Sequence, residues 1–306
     1  MQMNDNIFTY EEKVLFALRE LFCKNGYDRF TMSRFEEYDL YANCKDFLVS
    51  DRIITFTDLD GRLVALKPDV TLSIVRQFAR SGKDMQKVYY NENVYRAAQG
   101  NRNFKEIMQT GVECMGNIGA DEVCSTVALA VQSLSVISDR YVLAISHPDF
   151  VGGIIDFVGV SDEVLRFVRA KNASALKAYC DGIGLEQQKT NLLLKLITCH
   201  GKIGSCLGEL EAMDVNAATS KAIQEIKAVY DYLDKCGLAN NVQLDFSIAN
   251  NMDYYDGIVF QGYVEGVPQS LLSGGQYGGL MHKMGKNAAA VGFAVYMDEL
   301  RFLKNE

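Results

Sequence analysis

Strand-like alternation is confined to the two ends of this chain. Between them lies a block, about residues 161–236, that holds no proline and reads as helix throughout. Within it Val164, Leu165 and Val168, then Leu192, Leu193, Leu194, Leu196 and Ile197, then Ile223, Ile226, Val229, Tyr230 and Leu233 recur at helical spacing. Glycines at 182, 184, 201, 204 and 208 separate the pieces. A doubly wound parallel sheet needs strands and helices to alternate along the whole chain. Strands gathered at both ends predict instead an α+β fold on one mixed, mostly antiparallel sheet flanked by helices. The helical block is then an insertion in a single domain, residues 1–306, whose β-rich core comes from 1–160 and 237–306.

The end regions can be read element by element. Thr9 followed by Glu12 is a capping box, and Val14, Ala17, Leu18, Leu21 and Phe22 keep helical spacing until Gly26 stops the helix. Phe30 to Tyr41 mixes aromatics and carboxylates without one period. Residues 53–57 and 62–66 flank Asp60-Gly61 and predict an antiparallel hairpin. After Pro68, Asp69 to Arg80 predicts a helix opened by an acidic or Thr cap, with Ile74, Val75 and Phe78 on one face. Lys87 to Arg96 and Ile107 to Met115 predict a second antiparallel pair joined by the polar loop 97–105. Asp121 to Leu134 reads as helix, and Tyr141 to Ile145, Leu244 to Ile248 and Gly257 to Val264 as strands.

Composition sets outer bounds. The 306 residues carry 48% hydrophobic and 23% charged side chains and a formal net charge of -8. An acidic chain without clustered Lys and Arg is a poor match to a phosphate backbone, so nucleic acid is not the expected partner. No signal peptide and no apolar run of about 20 residues stands out, so a cytoplasmic protein is expected. The eight cysteines are scattered with no Cys-x-x-Cys pair, which suggests neither a disulfide framework nor a zinc cage. Cys199-His200 reads as a small core thiol beside a helix end.

A zwitterionic amino acid needs acceptors for its ammonium and a cation or amide donors for its carboxylate. Asp69 and Thr71 stand at a strand-to-helix junction, and Arg96 ends a strand. Gln109 and Glu113 lie four apart on a predicted strand, hence on one face, and Tyr254 and Tyr255 add phenols. Each has a bland reading: Asp69 as a helix cap, Arg96 as a solvated strand end, the tyrosines as packing. Glu113 is the exception, because a carboxylate inside an apolar alternating run must find a partner when buried.

Read in order, Leu66-Lys67-Pro68-Asp69-Val70-Thr71, Tyr95-Arg96, Gln109-Thr110-Gly111-Val112-Glu113, Met252-Asp253-Tyr254-Tyr255, Gly274-Gly275-Gln276-Tyr277 and Gly292-Phe293-Ala294 resemble the catalytic domain of class II histidyl-tRNA synthetases. The resemblance covers about residues 9–135 and 240–306, and the helical middle matches only in position. It implies that Asp69, Thr71, Gln109 and Glu113 meet the ammonium and side chain of histidine. It further implies that Arg96 meets a carboxylate or phosphate, Tyr255 the imidazole, and the Gly274-Gly275 turn a closely approaching ligand.

Departures from that pattern concern the chemistry. Asn250 stands where the family has an arginine that activates the carboxylate, Glu299 where it has one that clamps ATP phosphate, and Lys105 where it usually has arginine, in a loop one residue short. Preorganised cations are usually the largest stabilisation in adenylation, so each loss is expected to cost on the order of 10²–10³ in rate. No proline occurs between Gly26 and Glu37, where the family's dimer-forming motif usually has one.

The sequence closes at Glu306 after the last core helix, so no anticodon-binding domain is expected. This combination resembles the regulatory subunits of ATP phosphoribosyltransferase, the synthetase-like partners of the short form of the first histidine-biosynthesis enzyme. The resemblance implies a non-catalytic protein with no cofactor or metal, self-associating within a hetero-oligomer, that activates a short catalytic subunit and helps transmit histidine inhibition. The alternatives are a histidine-activating ligase and a histidine-sensing module with another partner.

Overall fold

Thr9 and Glu12 exchange side-chain and backbone hydrogen bonds at the start of α1 (Tyr10–Lys24). This closes the reciprocal cap, and Gly26 at φ +79° ends the helix. The computed structural model describes residues 7–45, 48, 53–97, 103–248 and 255–303. After α1 come β1 (Asp28–Arg29), β2 (Phe35–Glu37) and α2 (Tyr38–Ala42), so the aperiodic stretch 30–41 divides into short strand and short helix. The predicted hairpin is β3 (Thr55–Thr57) with β4 (Leu63–Leu66), antiparallel. Its loop is organised by the Asp58 carboxylate, which accepts from the N–H groups of Asp60 and Arg62, with Gly61 at φ +79°.

The helix α3 (Thr71–Ser81) buries Ile74, Val75 and Phe78, as the period predicts. Then β5 (Met85–Ala97) and β6 (Phe104–Gly116) form a thirteen-pair antiparallel ladder. The helix α4 (Ala120–Ile137) follows, then β7 (Tyr141–Ser146). By length and composition α4 is apolar enough to cross a membrane, and its burial against the sheet accounts for that composition.

A helix that the sequence pattern did not predict falls inside the region expected to be β-rich. Pro148 opens α5 (Pro148–Val158) and Gly159, at φ +78°, closes it. Pro is pre-set for a first helical turn, and the glycines at 152 and 153 weaken the helical signal without breaking the helix.

The helical block comprises α6 (Glu163–Arg169), α7 (Ala173–Gly182), α8 (Gln187–Thr198), α9 (Ile203–Glu211) and α10 (Ala217–Lys235). It also holds the two-residue strand β8 (Gly201–Lys202). Cys199 is buried at the end of α8 and His200 is exposed. Then come β9 (Val242–Leu244), β10 (Val259–Val264), β11 (Leu272–Tyr277), α11 (Gly279–Lys283), β12 (Ala289–Tyr296) and a closing 3-10 turn, Met297–Leu303.

The strand expected over 244–248 stops at Leu244. Asp245 takes the N–H and hydroxyl of Ser247 onto one carboxylate oxygen, at 2.9 and 2.6 Å, and coils the chain into a 3-10 turn.

Among the described residues the main sheet has nine strands in the order β1-β5-β6-β12-β11-β10-β7-β9-β8, and β2-β4-β3 form a smaller one. Only the β1–β5 and β7–β9 pairs of the large sheet are parallel. The expected mixed, mostly antiparallel sheet with flanking helices is therefore what forms. Alternation along the strands separates two cores. Val112, Cys114, Phe260, Leu272 and Phe293 point to one side, where α1, α4, α5 and α10 pack, and the same cluster continues through Val164, Leu176, Leu193 and Leu210 of the helical block. On the other side Val88, Tyr90, Val94, Met115, Tyr277 and Ala290 meet α3 and Leu280.

Candidate functional site

Register places the polar groups. In the β12–β6 pairing Gly292 stands opposite Glu113, Ala294 opposite Gly111 and Tyr296 opposite Gln109. These side chains share the α3-facing side of the sheet with Tyr90 and Glu92 of β5 and with Ser273, Gly275 and Tyr277 of β11. Small residues along β12 leave room above them; a methyl on Gly292 would run into the Glu113 carboxylate and the Val112 carbonyl.

Glu113 is the centre of the arrangement and is 3% exposed. The Thr71 hydroxyl donates to its Oε1 at 2.7 Å and the Tyr277 hydroxyl to its Oε2 at 2.5 Å. Burial pushes its carboxyl up to about 7, against the lowering by those two hydroxyls and with a small addition from the Asp69 charge. Thr71 reaches it because it begins α3, directly over β6.

Asp69 does two things. Its Oδ1 accepts from the Leu72 N–H at 2.9 Å, which caps α3, and its Oδ2 lies 3.5 Å from the Arg96 guanidinium. Burial raises its carboxyl, opposed first by Arg96 and then by the backbone N–H groups of Leu72 and Thr71. Arg96 is turned toward this junction and not outward, because its Nε donates to the Pro68 carbonyl at 2.7 Å. Gln109 is buried.

The Tyr255 ring packs against Gly275, where any side chain would collide with it. Burial raises its phenol, and the nearby charges of Tyr296, Glu113 and Asp69 add to that. Gly274 lies on the opposite face: it pairs with Phe293, and a methyl there would meet Phe293 and the Gly292 carbonyl. The two glycines lie within strand β11 and not in a turn, and period-two alternation puts only Gly275 on the Glu113 side of the sheet. Tyr254 lies outside the described residues, as do Asn250 and most of the loop 97–105.

Three participants escaped the sequence reading. Tyr277 holds Glu113 from the far side, and its signal was the step of two from Gly275 along a strand. Lys67, 1% exposed, forms an ion pair with Glu92. Such a pair joins residues 25 apart and shows only once the β5 register is known. Tyr296 fills the sheet face opposite Gln109.

At the end of the same sheet the 3-10 turn carries Asp298, whose Oδ2 accepts from the Met108 N–H at 3.3 Å. It also carries Glu299, which is 9% exposed; its Oε2 is buried without a hydrogen-bond partner, and its Oε1 lies 4.0 Å from Arg301. This side of the sheet thus gathers carboxylates and hydroxyls, groups that suit a cationic or N–H-bearing partner.

A family model described as histidyl-tRNA synthetase matches residues 3–300. A curated relative from Bacillus cereus (strain AH187), named ATP phosphoribosyltransferase regulatory subunit, is 29% identical over 303 residues, covering 95% of this chain and 71% of the relative. A crystal structure from Bacillus halodurans, titled ATP phosphoribosyltransferase regulatory subunit/histidyl-tRNA synthetase, superposes with a TM-score of 0.86 at 26% identity, over 100% of this chain and 82% of that one. A chain of the ATP phosphoribosyl transferase complex from Thermotoga maritima shares the fold, with a TM-score of 0.75 at 17% identity over 95% and 98%.

Proposed function

The chain belongs to the histidyl-tRNA synthetase family, and from there we propose that it has kept the amino-acid cleft of that family and turned it to regulation. In this reading it is the regulatory subunit of an ATP phosphoribosyltransferase, does not itself aminoacylate, activates a short catalytic subunit in a hetero-oligomer and relays inhibition by histidine. The observation that carries the reading is the charge of the cleft. Among the described residues the two inner cations of this face, Lys67 and Arg96, are already paired with Glu92 and Asp69, and Glu299 is buried where the family pattern places an arginine. A triphosphate needs free positive groups at the reacting end, and a carboxylate there repels it. The names of the curated relatives support the same role.

The network Thr71–Glu113–Tyr277 favours the ligase as second reading, because it is built to hold a small N–H donor. Two measurements separate the readings. Mixed with a short phosphoribosyltransferase, the chain should raise the rate and confer sensitivity to histidine; an unchanged rate and unchanged inhibition would remove the regulatory role. Histidine-dependent ATP–pyrophosphate exchange by the isolated chain should stay at background, and robust exchange would instead establish the ligase. Histidine can control the assembly only by binding its active and inhibited states with different affinity, typically by about 1–3 kcal/mol.

A further inference from the structure

At the end of the sheet where β6 stops and β12 starts lies a cavity of about 940 Å³, open to solvent. None of Asp69, Thr71, Arg96, Gln109, Glu113 or Tyr255 lines it. Three walls hold it. The first is the junction of β5 and β6, where a side chain at Gly116, φ +126°, would run into the Asp84 carbonyl. That carbonyl accepts from the Asn117 N–H at 3.2 Å, which fixes Lys83 and Asp84 beside Asn117. The second wall is α11 and its end: Gly285 at φ +78° closes the helix, and the Lys286 N–H returns to the Met281 carbonyl at 3.0 Å. His282 lines this wall, and the Lys286 ammonium stands 6.0 Å from the centre of the Phe78 ring. The third wall brings Asp149 of α5 and Lys221 of α10.

Formal charge on these described walls balances, Lys83, Lys221 and Lys286 against Asp84, Asp149 and Asp256. Partners break the tie. The Asp256 Oδ2 accepts from the Gly278 N–H at 2.6 Å, and Asp149 lies in the first turn of α5, where the helix end offsets its charge. Lys221 lies 3.5 Å from Glu225. Among the described residues Lys83, His282 and Lys286 make no ion pair. Side chains of this kind around one opening attract an anion. Phe78, Ile118 and Ala288 add an apolar strip for a carbon skeleton, and Asp84 is left to accept from a ligand hydroxyl. The volume lies within the range of about 300–1,000 Å³ typical of small-molecule sites, far more than a bare phosphate fills. We infer that this cavity binds a small organic phosphate, of nucleotide or sugar-phosphate size, with its phosphoryl group on Lys83, His282 and Lys286. The inference stands apart from the histidine reading, because the two sites share no residue.

Calorimetric titration of the full chain at neutral pH with AMP, UMP and ribose 5-phosphate, set against adenosine, uridine, ribose and inorganic phosphate, tests it. At least one of the three organic phosphates should bind, with its dephosphorylated parent and inorganic phosphate each about tenfold or more weaker. The double variant Lys83→Ala, Lys286→Ala should lose about tenfold or more of that affinity, with the melting curve confirming a folded protein. Three outcomes would overturn the inference: no binding by any of the three, binding matched by the parent or by inorganic phosphate, or binding that survives the double substitution. Histidine sensitivity conferred on a catalytic partner would be unaffected by any of these, so the regulatory reading is tested separately.

Discussion

A carboxyl held near 7 changes its charge across the range in which the protein is handled, and Glu113 is such a group. Its folded value lies above the ordinary 4.5, so between about 4.5 and 7 the folded state binds the proton that the unfolded chain has released. Stability from this residue is full below the lower value, falls as pH rises to the upper one, and is flat beyond; a shift of this size is on the order of 2–3 kcal/mol. Denaturant titrations from pH 4.5 to 8 should show that slope, and Glu113→Gln should remove much of it. A second residue-scale outcome concerns Gly292. Gly292→Ala must push against the Glu113 carboxylate and the Val112 backbone, so a loss of about 1–3 kcal/mol is expected in the denaturation midpoint, together with weaker ligand binding.

At the scale of elements, α1 and α3 hang on short-range polar contacts that single substitutions reach. Thr9→Ala removes one half of the reciprocal cap and should cost about 1 kcal/mol by chemical denaturation. Between β4 and β5, Glu92→Gln strands the buried Lys67 ammonium and should cost more, about 3–5 kcal/mol in the same measurement. Elements with a local cause were legible in the sequence: the capping box of α1, the apolar stripe of α3 and the alternation of β5 and β6. Elements whose cause is distant or masked were not. A proline start and interior glycines hid α5, and an aspartate side chain ended β9 early. The candidate site divides the same way. Glu113 announced itself as a charge in an apolar run, and the link from Thr71 to Glu113 depends on how α3 lies over β6. Tyr277 and Lys67 acquire meaning through strand register, and register puts only Gly275 of the Gly274-Gly275 pair on the Glu113 side, because neighbouring strand residues face opposite ways.

Over the whole molecule, one apolar cluster joins α1 and α4 to the helical block through the sheet, so the block has no separate core of its own to melt. Thermal unfolding followed by near-UV and far-UV circular dichroism should therefore give coincident transitions; two resolved steps would show that the block folds independently. The main sheet ends at both sides in strands of two residues, Asp28–Arg29 and Gly201–Lys202. Stubs this short, each carrying a charged side chain, are themselves poor templates for an incoming strand, although β1 covers β5 only at Val88 and Tyr89. A subunit that docks here is accordingly expected to recognise helix and loop surfaces and not to lengthen the sheet, which keeps assembly separate from the edge-to-edge stacking that leads to aggregates.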